Sequence, residues 1–175
     1  MDWLNVTIQG ILLGGLYALF AVGLSLVFGV MRIVNLAHGD LGILAAFIAL
    51  FFVQWLDIGV LWAAVLSIVL MLIIGYILQR GLLNFTLGTD DTRPILVTFG
   101  LSVIIQNAIL IGFSADTQGL KAGGITAESI EISKQLAIGW YPLMIFIAAI
   151  VIIVALQLFL ANTRLGRAFR ATSDD

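Results

Sequence analysis

Five stretches of this chain run without a charged side chain: 3–31, 41–56, 58–79, 94–115 and 135–163. A hydrocarbon layer about 30 Å thick is crossed by about 20 helical residues. The first, third, fourth and fifth stretches reach that length, whereas the second, at positions 41–56, covers only about 24 Å at the rise of an α-helix. With 62% hydrophobic and 10% charged residues, the composition lies far from the roughly 45–50% and 25% of a soluble domain. The expected fold is an all-α integral membrane protein of about five transmembrane helices, with a possible broken or re-entrant second segment. A formal net charge of -2 offers no field for nucleic acid. The absence of cysteine excludes disulfides and thiolate metal sites. No Lys or Arg precedes the first apolar run, which is too long for the apolar core of a signal peptide, so this segment is expected to stay in the protein.

The densest polar cluster of the apolar first half is Arg32-Ile33-Val34-Asn35-Leu36-Ala37-His38-Gly39-Asp40, which holds the one histidine of the chain. If the second span begins near Asn35 or Leu36 it becomes long enough, and His38 and Asp40 are drawn below the headgroups; otherwise the segment is re-entrant or broken. In a helix from Asn35, the residues Asn35, His38, Gly39 and Gly42 share one face, with Arg32 and Asp40 off it. Asp40 then suits a cap in the first turn, where the helix dipole favours a carboxylate.

Small residues recur along the first helix at Gly10, Gly14, Ala18, Ala21, Ser25 and Gly29. Such a stripe lets helices approach closely in lipid. Gly39, Gly42 and Ala49 continue the theme, and the expectation is that the first helix packs on the second. Positions 80–94 read as a loop from their Gly, Asn, Thr and Asp content and closing Pro94. The fourth helix sets Thr98, Ser102 and Gln106 four residues apart with Asn107 alongside; such side chains face a bundle or a water-filled path rather than lipid. Positions 116–135, with alternating Ser129-Ile130-Glu131-Ile132-Ser133, read as a hairpin outside the bilayer. The last helix empties into Arg164, Arg167 and Arg170. With the N-terminus outside, Arg32, Arg80, Arg93 and these three arginines fall inside and Lys121 and Lys134 outside, which is the orientation the positive-inside rule prefers.

The run from Tyr17 through Gly29-Val30-Met31-Arg32 to Asn35-Leu36-Ala37-His38-Gly39-Asp40 resembles the N-terminal signature of branched-chain amino acid ABC permeases of the LivH type. The related urea-permease subunit is similar. Thr98-Phe99-Gly100-Leu101-Ser102 with Gln106-Asn107, the hairpin, and Thr163-Arg164-Leu165-Gly166-Arg167-Ala168-Phe169-Arg170-Ala171 agree in order. The resemblance implies that 1–175 is the N-terminal portion of a single transmembrane permease domain in a truncated ABC importer permease fold. It places a cytoplasmic loop at 80–94, an extracytoplasmic hairpin at 116–135 and a cytoplasmic basic segment at 163–175. Family members continue into a coupling helix and further spans, so the chain is expected to be a piece of a longer product or to be completed by partners.

The implied function is a permease subunit of an importer for branched-chain or related small polar amino acids in the inner membrane, with urea or a short amide as the alternative cargo. Its implied partners are a second, LivM-like permease subunit, cytoplasmic ATPase subunits, an extracytoplasmic substrate-binding protein and membrane lipid, with no nucleic acid. No Walker-type phosphate loop is present, so ATP hydrolysis is assigned to another chain. The chain is expected to be no enzyme, with no cofactor and no metal. Candidate path residues are Asn35, His38, Gly39, Gly42, Ser102, Gln106 and Asn107; Arg32 and Asp40 are candidates for a cap or polar network, and Arg164, Gly166, Arg167 and Arg170 for contact with the ATPase. For each a plainer role competes. Asn35 and His38 also suit hydrogen bonding between helices, Ser and Thr suit bonding within their own helix, and the arginines suit anchoring to anionic lipid. A non-transporting structural or regulatory membrane protein is the alternative of another class. An intramembrane enzyme fails because His38 and Asp40 have no nucleophile in a recognisable motif.

A reporter fused after Arg170 is expected to give a cytoplasmic signal, and an extracytoplasmic one overturns the orientation.

Overall fold

The computed structural model describes residues 2–86, 92–114, 119, 129–133, 136–164 and 166–167. It contains α1 (Asp2–Met31), α2 (His38–Leu56), α3 (Val60–Gly81), a 3-10 turn (Leu83–Phe85), α4 (Thr92–Phe113), strands β1 (Ser129–Ser133) and β2 (Leu136–Gly139), and α5 (Trp140–Asn162). Among the described residues, five helices are long and apolar enough to cross a membrane. Between 6% and 17% of each apolar window is buried, so the large side chains point outward. That is the arrangement lipid permits, because hydrocarbon exerts no force driving apolar groups inward.

The helices end where the sequence changes their backbone. Arg32 closes α1 in the left-handed region, at φ 56°, with its N–H still bonded to the Phe28 carbonyl at 2.8 Å; a left-handed residue just past a helix is a common terminator. Asp57, at φ 53°, does the same for α2, and Asp57 to Gly59 turn the chain into α3. Ser114, at φ 66°, follows α4. The second span is thus one continuous helix of 19 residues, about 28 Å long. The interruption lies in front of it, at positions 32–37, not inside it. Asn35 is therefore outside the helix, and the four-residue face of Asn35, His38, Gly39 and Gly42 does not form. Gly39 sits in the first turn of α2 with open space where a Cβ would stand.

Two compact units divide the chain: Met1–Arg32 with Lys121–Asp175, and Ile33–Leu120. In the first, α1 packs on α5 and also touches β2. Residues Val6 to Leu16 share an apolar groove with Pro142 and Ile145, while Val22 shares one with Ile153 to Ala161. Partner positions rise together, so α1 and α5 run in the same direction, as two spans separated by three others must. The antiparallel pair β1 and β2 joins Ser129 to Gly139 and Ile130 to Ile138, and leads straight into Trp140 at the head of α5. Within this unit the neighbour of α1 is α5; α2, the neighbour expected from the sequence, belongs to the other unit. The small-residue stripe is not the face that meets α5. Gly10, Gly14, Ala18, Ala21 and Ser25 are exposed, and the close approach is made by buried Gly15, where a Cβ would fall 2.5 Å from Cδ2 of Phe146.

In the second unit α2 packs on both α3 and α4. Buried Ser67 of α3 donates to the Ala45 carbonyl of α2 at 2.7 Å. Phe47 of α2 and Phe113 of α4 stack at a tilt, 4.8 Å between centroids.

Gly15→Ala is expected to destabilise the α1–α5 pair by about 1–3 kcal/mol, the usual cost of overpacking, and Gly14→Ala to be neutral or stabilising by up to about 1 kcal/mol. Unfolding of the two variants in lipid or mild detergent measures the contrast.

Candidate functional site

The segment before α2 has lost helical bonding and must satisfy its backbone otherwise, because each unpaired N–H costs several kcal/mol in hydrocarbon. Three successive donors are served by two polar side chains and one carbonyl. The Leu36 N–H donates to Thr98 Oγ1 at 3.2 Å. The Ala37 N–H donates to Asn35 Oδ1 at 3.0 Å, an Asx-type turn. The His38 N–H reaches the Asn35 carbonyl at 3.3 Å. Ala37 is the N-cap residue and makes no side-chain cap bond. Thr98 is fully buried, and its hydroxyl also donates to the Pro94 carbonyl at 2.8 Å, so it serves its own helix and the incoming segment together.

One turn further along both helices stands Asp40. Its carboxylate accepts from Ser102 Oγ at 2.5 Å and from Gln106 Nε2 at 3.1 Å, and Gln106 Nε2 also donates to Ser102 Oγ at 3.2 Å. The three side chains close a triangle across α2 and α4. The sequence spacing had set Asp40 aside from the polar face; in the structure it is the hub, because the face of α2 that carries Asp40 and Phe47 is the one packed on α4. Pairings of Leu36 with Thr98, Asp40 with Ser102, and Phe47 with Phe113 show that α2 and α4 run parallel, with the pairing offset rising from 62 to 66 residues between the polar and the aromatic contact. The stripe of Thr98, Ser102 and Gln106 is the α4 side of this seam.

The other candidates are placed as follows. Asn35 and His38 are half-buried at the foot of α2, Gly39 is exposed and Gly42 half-buried. Asn107 is separated from its neighbour Gln106: its Nδ2 donates to the Val103 carbonyl at 2.7 Å within α4. Arg32 is exposed at the end of α1. Arg164 and Arg167 are exposed, and Gly166 is buried in the turn after α5. There its N–H donates to Thr163 Oγ1 at 3.0 Å, and a Cβ would collide with the Leu160 carbonyl. Arg170 lies outside the described residues. Ser67, which ties α3 to α2, escaped the sequence reading because an isolated serine in an apolar helix carries no spacing signal. Past the triangle, Leu44, Phe47, Ile48, Phe51, Leu70 and Phe113 line an apolar cavity of about 220 Å³.

Thr98→Val is expected to cost about 1–3 kcal/mol by leaving the Leu36 N–H without its acceptor, and Thr98→Ser to cost less than half as much. In a double-mutant cycle, Asp40→Ala with Ser102→Ala is expected to show a coupling of about 0.6–1.7 kcal/mol, the range found for hydrogen bonds between membrane helices.

Residues 6–175 match the model of a family described as branched-chain amino acid transport system / permease component. The chain is 26% identical over 185 residues to the permease protein BraD of the high-affinity branched-chain amino acid transport system of Pseudomonas aeruginosa, which covers 99% of this chain and 60% of that one. It is 25% identical over 183 residues to the permease protein LivH of the corresponding system of Escherichia coli K12, covering 99% and 59%. With LivH of Salmonella typhimurium the identity is 23% over 189 residues, again 99% and 59%. The chain thus spans about three fifths of the length of these relatives. No solved structure matches it. With a family match that takes in all but its first five residues, and five helices fit to cross a membrane, the chain belongs to the permease component family of branched-chain amino acid transport systems.

Proposed function

We propose that this chain forms part of the translocation path of an ABC importer for branched-chain amino acids in the inner membrane, with its N-terminus outside and the end of α5 in the cytoplasm. The observation that carries the reading is the polar seam of Asp40, Ser102 and Gln106 in a chain whose relatives are permeases of such transport systems. Polar side chains bonded across parallel spans are where water and a zwitterion find partners at membrane depth. Asn35, His38, Gly39 and Gly42 extend the lining to the foot of α2, where the backbone is already unwound and irregular structure suits a cavity.

The remaining parts of the cycle belong to other chains. ATP hydrolysis is supplied by cytoplasmic ATPase subunits, since no phosphate-binding loop occurs in this sequence. A second permease subunit supplies the facing half of the path, and an extracytoplasmic binding protein delivers the substrate. Arg164 and Arg167, exposed beyond α5, form with Arg170 a basic end that meets the ATPase or the anionic headgroups beside it. The role of this chain is to expose the seam to one side and then the other as the ATPase closes and opens.

Membrane vesicles holding the chain together with its permease partner, ATPase and binding protein are expected to accumulate leucine only with ATP. Absence of ATP-dependent uptake of any branched-chain amino acid overturns the reading. Because the chain has no cysteine, Asn35→Cys and His38→Cys introduce unique thiols. Their labelling by a small charged reagent is expected to differ between nucleotide-free and ATP-trapped transporter; equal protection in both states removes these two residues from the path.

A further inference from the structure

Asp40 lies in the first turn of α2, yet its partners are in the middle of α4. Ser102 is the eleventh of the 22 residues from Thr92 to Phe113, so about 15 Å of helix lies to either side of it. Asp40 therefore meets α4 in the middle of that helix, away from both of its ends, and an ionised side chain inside a span faces a cavity or meets an opposite charge. Among the described residues, the hydrogen bonds it accepts come from neutral donors, the Ser102 hydroxyl and the Gln106 amide. These orient the carboxylate without balancing its charge. A carboxylate has about four acceptor positions, and Asp40 is half-buried beside an exposed Gln106, so positions remain open to an incoming group. One helical turn further, Leu44 opens the apolar cavity that runs on to Phe113.

We propose that Asp40, oriented by Ser102 and Gln106, receives the ammonium group of the transported molecule while the cavity beginning at Leu44 receives its aliphatic side chain. This rests on the importer reading above and deepens it. The transported class is then α-amino acids with branched aliphatic side chains, and urea and neutral amides are rejected because they bring no cation to the carboxylate. Ser102 and Gln106 are positioning residues and Asp40 is the contact.

Leu44→Cys in the assembled transporter provides a unique thiol in this chain, one turn from Asp40. L-Leucine is expected to slow its labelling at least about tenfold, whereas equal concentrations of sodium 2-hydroxy-4-methylpentanoate, which lacks the ammonium group, or of urea leave the rate unchanged. In Asp40→Asn the leucine concentration needed for protection is expected to rise about 10- to 100-fold, the loss of one charge-assisted hydrogen bond, and in Asp40→Glu to fall between. Protection by the hydroxy acid as strong as by leucine, or an unchanged leucine requirement in Asp40→Asn, overturns the proposal. So does an Asp40→Asn variant with lower uptake but an unaltered preference for leucine over the hydroxy acid, which marks a purely structural role. No protection by any ligand in a transporter that accumulates leucine overturns the ammonium site alone, while failure to accumulate any amino acid overturns the importer reading beneath it.

Discussion

The segment between α1 and α2 depends on Thr98. Where the first helix ends at Arg32 and the second begins at His38, the backbone loses the bonds that a helix supplies, and its buried donors need other partners. Asn35 satisfies two of the donors that follow, through its side chain and its carbonyl. The third, on Leu36, is satisfied by a hydroxyl from another helix. That bond ties the unwound segment to α4. Four residues on along both chains, Asp40 meets Ser102; further on, Phe47 meets Phe113, eleven residues past Leu36 and fifteen past Thr98. A polar network at one level and an aromatic contact beyond it thus lie along one parallel seam that begins at this hydroxyl.

The spans were legible in the sequence. Charge-free runs long enough for a bilayer appear as helices over nearly the same positions, and the short second run gained its missing length from His38, Gly39 and Asp40 at its N-terminal end. The α4 stripe was legible too, since Thr98, Ser102 and Gln106 keep a strict four-residue spacing. Pairing partners were not. A small-residue stripe declares that a face can approach another helix, but Gly15, one residue off the stripe, makes the contact with Phe146. The bulk of the partner side chain decides which gap is filled, and the partner's sequence lies more than a hundred residues away.

Asp40 shows why the site was harder to read than the fold. Counting from Asn35 as though it were helical turns Asp40 away from the polar face. The left-handed residue at Arg32 and the Asx turn at Asn35 postpone the helix by three residues, which removes Asn35 from the face it was counted on and leaves His38 in the first turn. A boundary error of this size leaves a span recognisable and misassigns the residues at its end, while the face that meets α4 is set by the neighbour. For membrane helices of uniform apolar composition, helix ends therefore carry more information about function than helix interiors.

The same reasoning orders the polar groups by what they can do. Thr98 is fully buried and uses its hydroxyl for backbone groups, accepting from the Leu36 N–H and donating to the Pro94 and Ile95 carbonyls, so its one proton is spent within the fold. Asn107 spends its amide donor on its own helix. Asp40 differs from both, since among the described residues its two donors are neutral and leave acceptor positions of the carboxylate unfilled. Within one stripe of α4, then, the group nearest the helix start secures the backbone, and the next two aim a carboxylate. A structural network and the proposed binding site need not compete for the same residues here: the first fixes the level at which the second would stand.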